Sequence, residues 1–108
     1  MGKHILLEVY DVDFNLLNDE IPLLHTIKEA IYLAGMTILN VYSHKFTPQG
    51  LTIVIALSES HFSLHSWPEQ GCFTSDTYTC GPNNPKIITN ALIKYFNSDN
   101  YMLRELDR

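Results

Sequence analysis

Hydrophobic and polar positions repeat with two different periods along this chain, and each change of period marks an element. From His4 to Val12, β-branched and aromatic residues crowd together as in a strand. Leu24, Ile27, Ile31 and Ala34 then recur at helical spacing. Asn18 or Asp19 offers that helix an N-cap, Pro22 is tolerated in its first turn, and Gly35 stands where it should stop. Met36 to Phe46 predicts a second strand, Thr47 to Gly50 a turn, and Leu51 to Leu57 a third and more apolar strand.

The next segment alternates strictly. His61, Ser63, His65 and Trp67 fall on one face, Phe62 and Leu64 on the other. Pro68 to Gly71 reads as a turn and Cys72 to Cys80 as the returning strand. Gly81, Pro82, Asn83 and Asn84 break the pattern. Asn84 as N-cap with Pro85 beside it opens a second helix, whose apolar face is Ile88, Ala91, Leu92 and Tyr95. Tyr101 to Leu106 is the last strand. The order β-α-β-β-β-β-α-β predicts an α+β fold, a two-layer sandwich in which two helices cover one mainly antiparallel sheet.

Composition narrows the function. A chain of 108 residues suits one domain, 1–108, with one modest core. Seven Lys+Arg against twelve Asp+Glu give a net charge of −5 without any basic run, which argues against nucleic-acid partners. The apolar run Ile53–Leu57 is far below the roughly 20 residues of a membrane helix, so no membrane partner is expected. Two cysteines without an export-like segment predict a reduced, cytoplasmic setting.

Reactive side chains are concentrated between Ser58 and Cys80. Hydroxyls, two histidines, Glu59, Glu69 and the only tryptophan crowd into residues 58–69. One reading is the solvated face of a sheet, where such residues are common. A hairpin with residues 68–71 as its loop pairs Trp67 with Cys72, His65 with Thr74, Ser63 with Asp76 and His61 with Tyr78. Cys80 then lies opposite Glu59, beside the Glu59–Ser60 peptide bond. In that register Cys72 and Cys80 are about 25 Å apart on one strand, too far for a disulfide. Cys72 is expected to be a small packed residue. His65 is roughly 16 Å from Ser60 along a straight strand and on the opposite face. Either the strand bends, or His65 serves Ser60 of a second chain, so a catalytic role for these residues predicts a homodimer.

Ser58-Glu59-Ser60-His61, His65-Ser66-Trp67-Pro68-Glu69 and Thr79-Cys80-Gly81 resemble the short prokaryotic S-adenosylmethionine decarboxylases. The resemblance extends to His4, to Asn40–Phe46 and to Pro48 and Gly50, and so covers nearly the whole chain. It implies a proenzyme that cuts itself between Glu59 and Ser60 into a β chain, 1–59, and an α chain, 60–108. Ser60 attacks the preceding carbonyl, and elimination and hydrolysis turn it into a covalent pyruvoyl group. That ketone forms a Schiff base with the substrate amine and replaces pyridoxal phosphate as electron sink, with no metal. The implied substrate is S-adenosylmethionine, and the implied product is the aminopropyl donor for spermidine.

By the same resemblance, His65 is the acid/base of processing and Cys80 the proton donor to the substrate's α-carbon. Thr52 stands where the family has a serine whose hydroxyl assists processing. Phe46 and Trp67 match aromatics around the nucleoside and sulfonium, and Glu69 a carboxylate for the ribose hydroxyls. The chain differs from the family pattern at Gln70–Ser75, at Ile53 and at Pro82-Asn83-Asn84. Two alternatives stay open at this point: a pyruvoyl enzyme for ornithine or arginine, and an unprocessed homologue that binds a nucleoside or regulates a partner.

Overall fold

The computed structural model describes residues 2–108. The elements are β1 (Lys3–Val9), α1 (Phe14–Asn18), α2 (Glu20–Leu33), β2 (Ile38–Lys45), β3 (Leu51–Leu57), β4 (Ser60–Trp67), β5 (Cys72–Thr79), α3 (Lys86–Phe96) and β6 (Tyr101–Asp107), with a 3₁₀ turn at Pro68–Gln70. The strands form one six-stranded sheet in the order β2-β3-β4-β5-β1-β6. Every neighbouring pair is antiparallel. The α+β sandwich is therefore as expected, and the "mainly" antiparallel sheet is wholly so.

The core lies on one face of the sheet. Ile5, Leu7, Ile53, Ile55, Phe62, Leu64 and Phe73 alternate inward along their strands and are 0–1% exposed. All of these but Ile5 join one cluster with Leu23, Ile27 and Ile31 of α2 and Ile88, Leu92 and Phe96 of α3, all similarly buried. Each such side chain contributes about 1.5–3 kcal/mol by leaving water. Phe73 and Phe96 stack with ring centroids 4.4 Å apart, pinning α3 to β5. Ser66 has the same inward parity and is buried, but its hydroxyl is fully used. It donates to the Leu17 carbonyl at 2.8 Å and accepts from the Leu51 amide at 3.0 Å, which ties α1 to β4.

Several boundaries differ from the sequence expectation. The first strand ends at Val9 rather than Val12, because Asp11 turns the chain with φ 58°. A short helix, α1, then precedes the expected one, so two expected helices become three among the described residues. Asp13 caps it by accepting the Asn15 amide at 3.2 Å. Asn18 does not cap α2; its Oδ1 accepts the Gly50 amide at 2.9 Å instead. Asn84 does serve α3, accepting the Lys86 amide at 3.0 Å, with Pro85 between them. Gly35 ends α2 as expected, in the left-handed conformation with φ 77°. Among the described residues no helix is long and apolar enough to cross a membrane.

Candidate active site

Alternation along β4 sends His61, Ser63, His65 and Trp67 to the face without helices. The β4–β5 register is the expected one at all four pairs, Trp67–Cys72, His65–Thr74, Ser63–Asp76 and His61–Tyr78. The candidate residues then separate into two groups at opposite ends of the β3–β4 hairpin.

The first group surrounds the hairpin tip. Leu57 of β3 pairs with Ser60 of β4, so Ser58 and Glu59 alone form the loop. Glu59 is held left-handed with φ 61°, a conformation that costs a residue with a Cβ about 1–2 kcal/mol. Its carbonyl oxygen accepts from the Cys80 thiol at 2.6 Å and from the Cys80 amide at 3.4 Å. Ser60 is half-buried in a cavity of about 140 Å³ that Ser58, Thr79, Gly81 and Asn83 also line. Asn83 fixes that wall. Its Nδ2 donates to the carbonyls of Ala34 at 2.9 Å and Gly35 at 2.8 Å, docking the loop after Cys80 on the end of α2.

The second group lies at the other end of the hairpin. Thr52 of β3 faces His65 of β4, and Thr52 Oγ1 is 2.9 Å from His65 Nδ1. That bond occupies Nδ1 and leaves Nε2 for proton transfer. Phe46 follows β2 and Trp67 ends β4; they are 47% and 39% exposed, unusually open for large aromatics. Phe46 is edge-to-face with His44 at 4.5 Å, and Trp67 is 6.3 Å from the His65 ring. Glu69, in the 3₁₀ turn, accepts from Gln49 Nε2 at 3.5 Å.

Similarity to known proteins gives this arrangement a family. The family model described as S-adenosylmethionine decarboxylase matches residues 3–108. The chain belongs to that family. A relative from Prochlorococcus marinus (strain MIT 9313), named S-adenosylmethionine decarboxylase proenzyme, is 42% identical over 109 residues, covering 100% of this chain and 87% of its own. Proenzyme 2 of Bacillus anthracis is 39% identical, covering 99% and 88%. The crystal structure of the adenosylmethionine decarboxylase from Aquifex aeolicus superposes with a TM-score of 0.90 at 30% identity, covering 100% of this chain and 90% of that one. These names do not favour the ornithine or arginine alternative.

Within this family member, β4 pairs with both β3 and β5 from Ser60 onward with no register shift, so no bulge bends it towards Ser60. His65 is therefore about 16 Å from Ser60 in the same chain, and the bent-strand option is dropped. Cys72 is corrected too: it is half-exposed at the start of β5, where its parity is outward, although partial burial and then the Glu69 charge raise its pKa. Asn83 escaped the sequence reading, since nothing in its composition marks it as a strut to a helix end 48 residues earlier. So did the association of His4, His61 and Asp76 on the open face, 2.7 and 3.0 Å from either imidazole to the shared carboxylate. Burial opposes ionisation of Asp76, but hydrogen bonds from Ser63, His4 and His61 outweigh it and hold the carboxyl below its ordinary value.

Proposed function

We propose that this chain is a self-processing S-adenosylmethionine decarboxylase that cuts itself between Glu59 and Ser60, leaving chains 1–59 and 60–108. The observation that carries the reading is the Glu59 carbonyl, held at the hairpin tip with the Cys80 thiol 2.6 Å and the Cys80 amide 3.4 Å from its oxygen. Two donors on one carbonyl oxygen favour the negative charge that develops when Ser60 Oγ attacks the carbonyl carbon. The amide becomes an ester and the Ser60 nitrogen a free amine. Loss of the Ser60 α-proton then expels the Glu59 carboxylate and leaves dehydroalanine. Water replaces the nitrogen, ammonia departs, and the new α chain begins with a pyruvoyl group. No redox partner is needed.

The residues around Ser60 fit that group. Ser60 is half-buried, and the Cys80 thiol, held on the adjoining Glu59 carbonyl, would serve as the proton donor for the substrate's α-carbon. The pyruvoyl ketone supplies the electron sink that decarboxylation of an amino acid requires. The tip cavity of about 140 Å³ suits the reacting end of the substrate and not a whole nucleoside. The nucleoside therefore goes to the second group, with Phe46 and Trp67 against the adenine and sulfonium and Glu69 on the ribose. Within one chain that group lies at the wrong end of the hairpin. Two copies related by a two-fold axis, open face to open face, bring His65, Thr52 and the aromatics of each to the Ser60 of the other, twice. The working unit is accordingly a homodimer. Its product is the aminopropyl donor for spermidine, made in the reduced cytoplasm that the free thiols of Cys72 and Cys80 suit.

Intact mass of the purified protein tests the reading. Two fragments split at Glu59–Ser60 are expected, the larger-numbered one without its amino group, and S-adenosylmethionine with cyanoborohydride should leave a stable adduct on it. A single uncut 12.4 kDa species would overturn it.

A further inference from the structure

The open face carries one cluster to which the proposed chemistry gives no role. His4 of β1, His61 of β4 and Asp76 of β5 come from three adjacent strands, and their ligand atoms all lie within 4.8 Å of one another. Asp76 Oδ2 is the shared point, 2.7 Å from His4 Nε2 and 3.0 Å from His61 Nε2. Ligands held at about 2.0–2.2 Å around one ion sit about 2.9–3.4 Å from each other. The two observed spacings are close to that edge length, so small side-chain shifts would admit an ion.

The surroundings already orient these donors. Ser63 holds the other oxygen of Asp76, Oδ1, leaving Oδ2 for an ion. The Tyr78 ring lies 5.6 Å from His4 and 5.8 Å from His61, limiting how either imidazole turns. All the ligands stand on strands, which fix geometry better than loops. In the single chain the side-chain exposures are 15% for His4, 24% for Asp76 and 46% for His61, so the cluster opens onto the helix-free face, and in the face-to-face dimer proposed above an ion there would lie between the two copies.

We propose that His4, His61 and Asp76 form a binding site for a divalent transition ion such as zinc or cobalt. Two imidazoles and one carboxylate suit those ions better than magnesium or calcium, which prefer all-oxygen sites. Arg108 opposes the ion. Its Nη1 is 3.3 Å from His4 Nδ1, and a guanidinium can only donate, so Nδ1 accepts and the ring proton sits on Nε2 towards Asp76. An ion at Nε2 displaces that proton to Nδ1 or to solvent, and Arg108 must turn away. The site stands whether or not the chain is cut. If it is cut, His4 is on one fragment and the other two ligands on the second, and the ion bridges them.

The test is titration of the purified protein with Zn²⁺ by calorimetry and with Co²⁺ by visible absorption. One saturable ion per chain is expected, with the d–d bands of nitrogen-ligated Co²⁺. His61→Ala and Asp76→Asn should each weaken binding at least about tenfold with unchanged circular dichroism. Arg108→Ala should tighten it. His25→Ala should leave it unchanged, since His25 and Glu29 form only a surface pair one helical turn apart, at 3.1 Å. No saturable uptake by the parent protein, uptake that survives both ligand substitutions, or equal loss in His25→Ala would overturn the site.

Discussion

The two faces of β4 use the same backbone for opposite ends. Phe62 and Leu64 point inward and are fully buried, while His61, Ser63 and His65 point outward and carry hydrogen bonds to side chains on neighbouring strands. The inward face is what folding needs: apolar area against α2 and α3. The outward face is what chemistry needs: titratable groups kept on rigid strands, with no helix to cover them. One residue of register would exchange the two sets, so the pairing of β3, β4 and β5 protects stability and site together.

The contrast can be broken by substitution three residues apart on the one strand. Phe62→Ala, placed in an uncut Ser60→Ala background, should cost about 3–5 kcal/mol, a large part of what a domain of this size has. Denaturant unfolding should find a midpoint strongly lowered or no folded state at all. His65→Ala should leave the midpoint nearly unchanged and, expressed alone, should stay uncut. Mixing sharpens this further. Co-expressed with Ser60→Ala, the His65→Ala chain should be cut, because the intact His65 of its partner reaches its Ser60. Mass spectrometry of separately tagged chains distinguishes the two copies. Cleavage of His65→Ala alone, or none in the mixture, would sink the two-fold arrangement, and loss of fold in His65→Ala would erase the distinction between faces.

The face assignments were legible because parity and a four-residue turn fix the β4–β5 register without long-range information. The hairpin tip followed from the same register, which already put Cys80 opposite Glu59. The short helix α1 was not legible, since Phe14–Asn18 is too brief to show a helical period. Nor was the His4–Asp76–His61 cluster: its members are up to 72 residues apart, and they meet only because β1 inserts between β5 and β6. Asn18 misled because a capping residue type can spend its oxygen elsewhere, here on the Gly50 amide. The distance of His65 and Trp67 from Ser60 followed from the strand rise, whereas the placing of Thr52 and Phe46 at that same far end needed the β2–β3–β4 pairing. Proximity in a motif is proximity in sequence, and along an extended strand that is distance.

Ser60 does not obey the division between faces, and the smallest predicted effect concerns it. It has inward parity, but it lies at the strand end beside the Glu59 turn, where the helices no longer fill the space. Glu59 adopts φ 61° there without the freedom of glycine. Glu59→Gly should therefore relieve backbone strain, partly offset by the looser unfolded chain, and raise stability by up to about 1 kcal/mol in the Ser60→Ala background. With Ser60 restored, the same relief removes a push on the scissile carbonyl, and cleavage should slow by up to about fivefold. Timed intact masses after refolding, set beside denaturant midpoints, read both effects. A more stable but equally fast Glu59→Gly chain would mean that the strain is incidental to cleavage. A less stable one would mean that the Glu59 side chain, rather than its backbone, holds the tip in place.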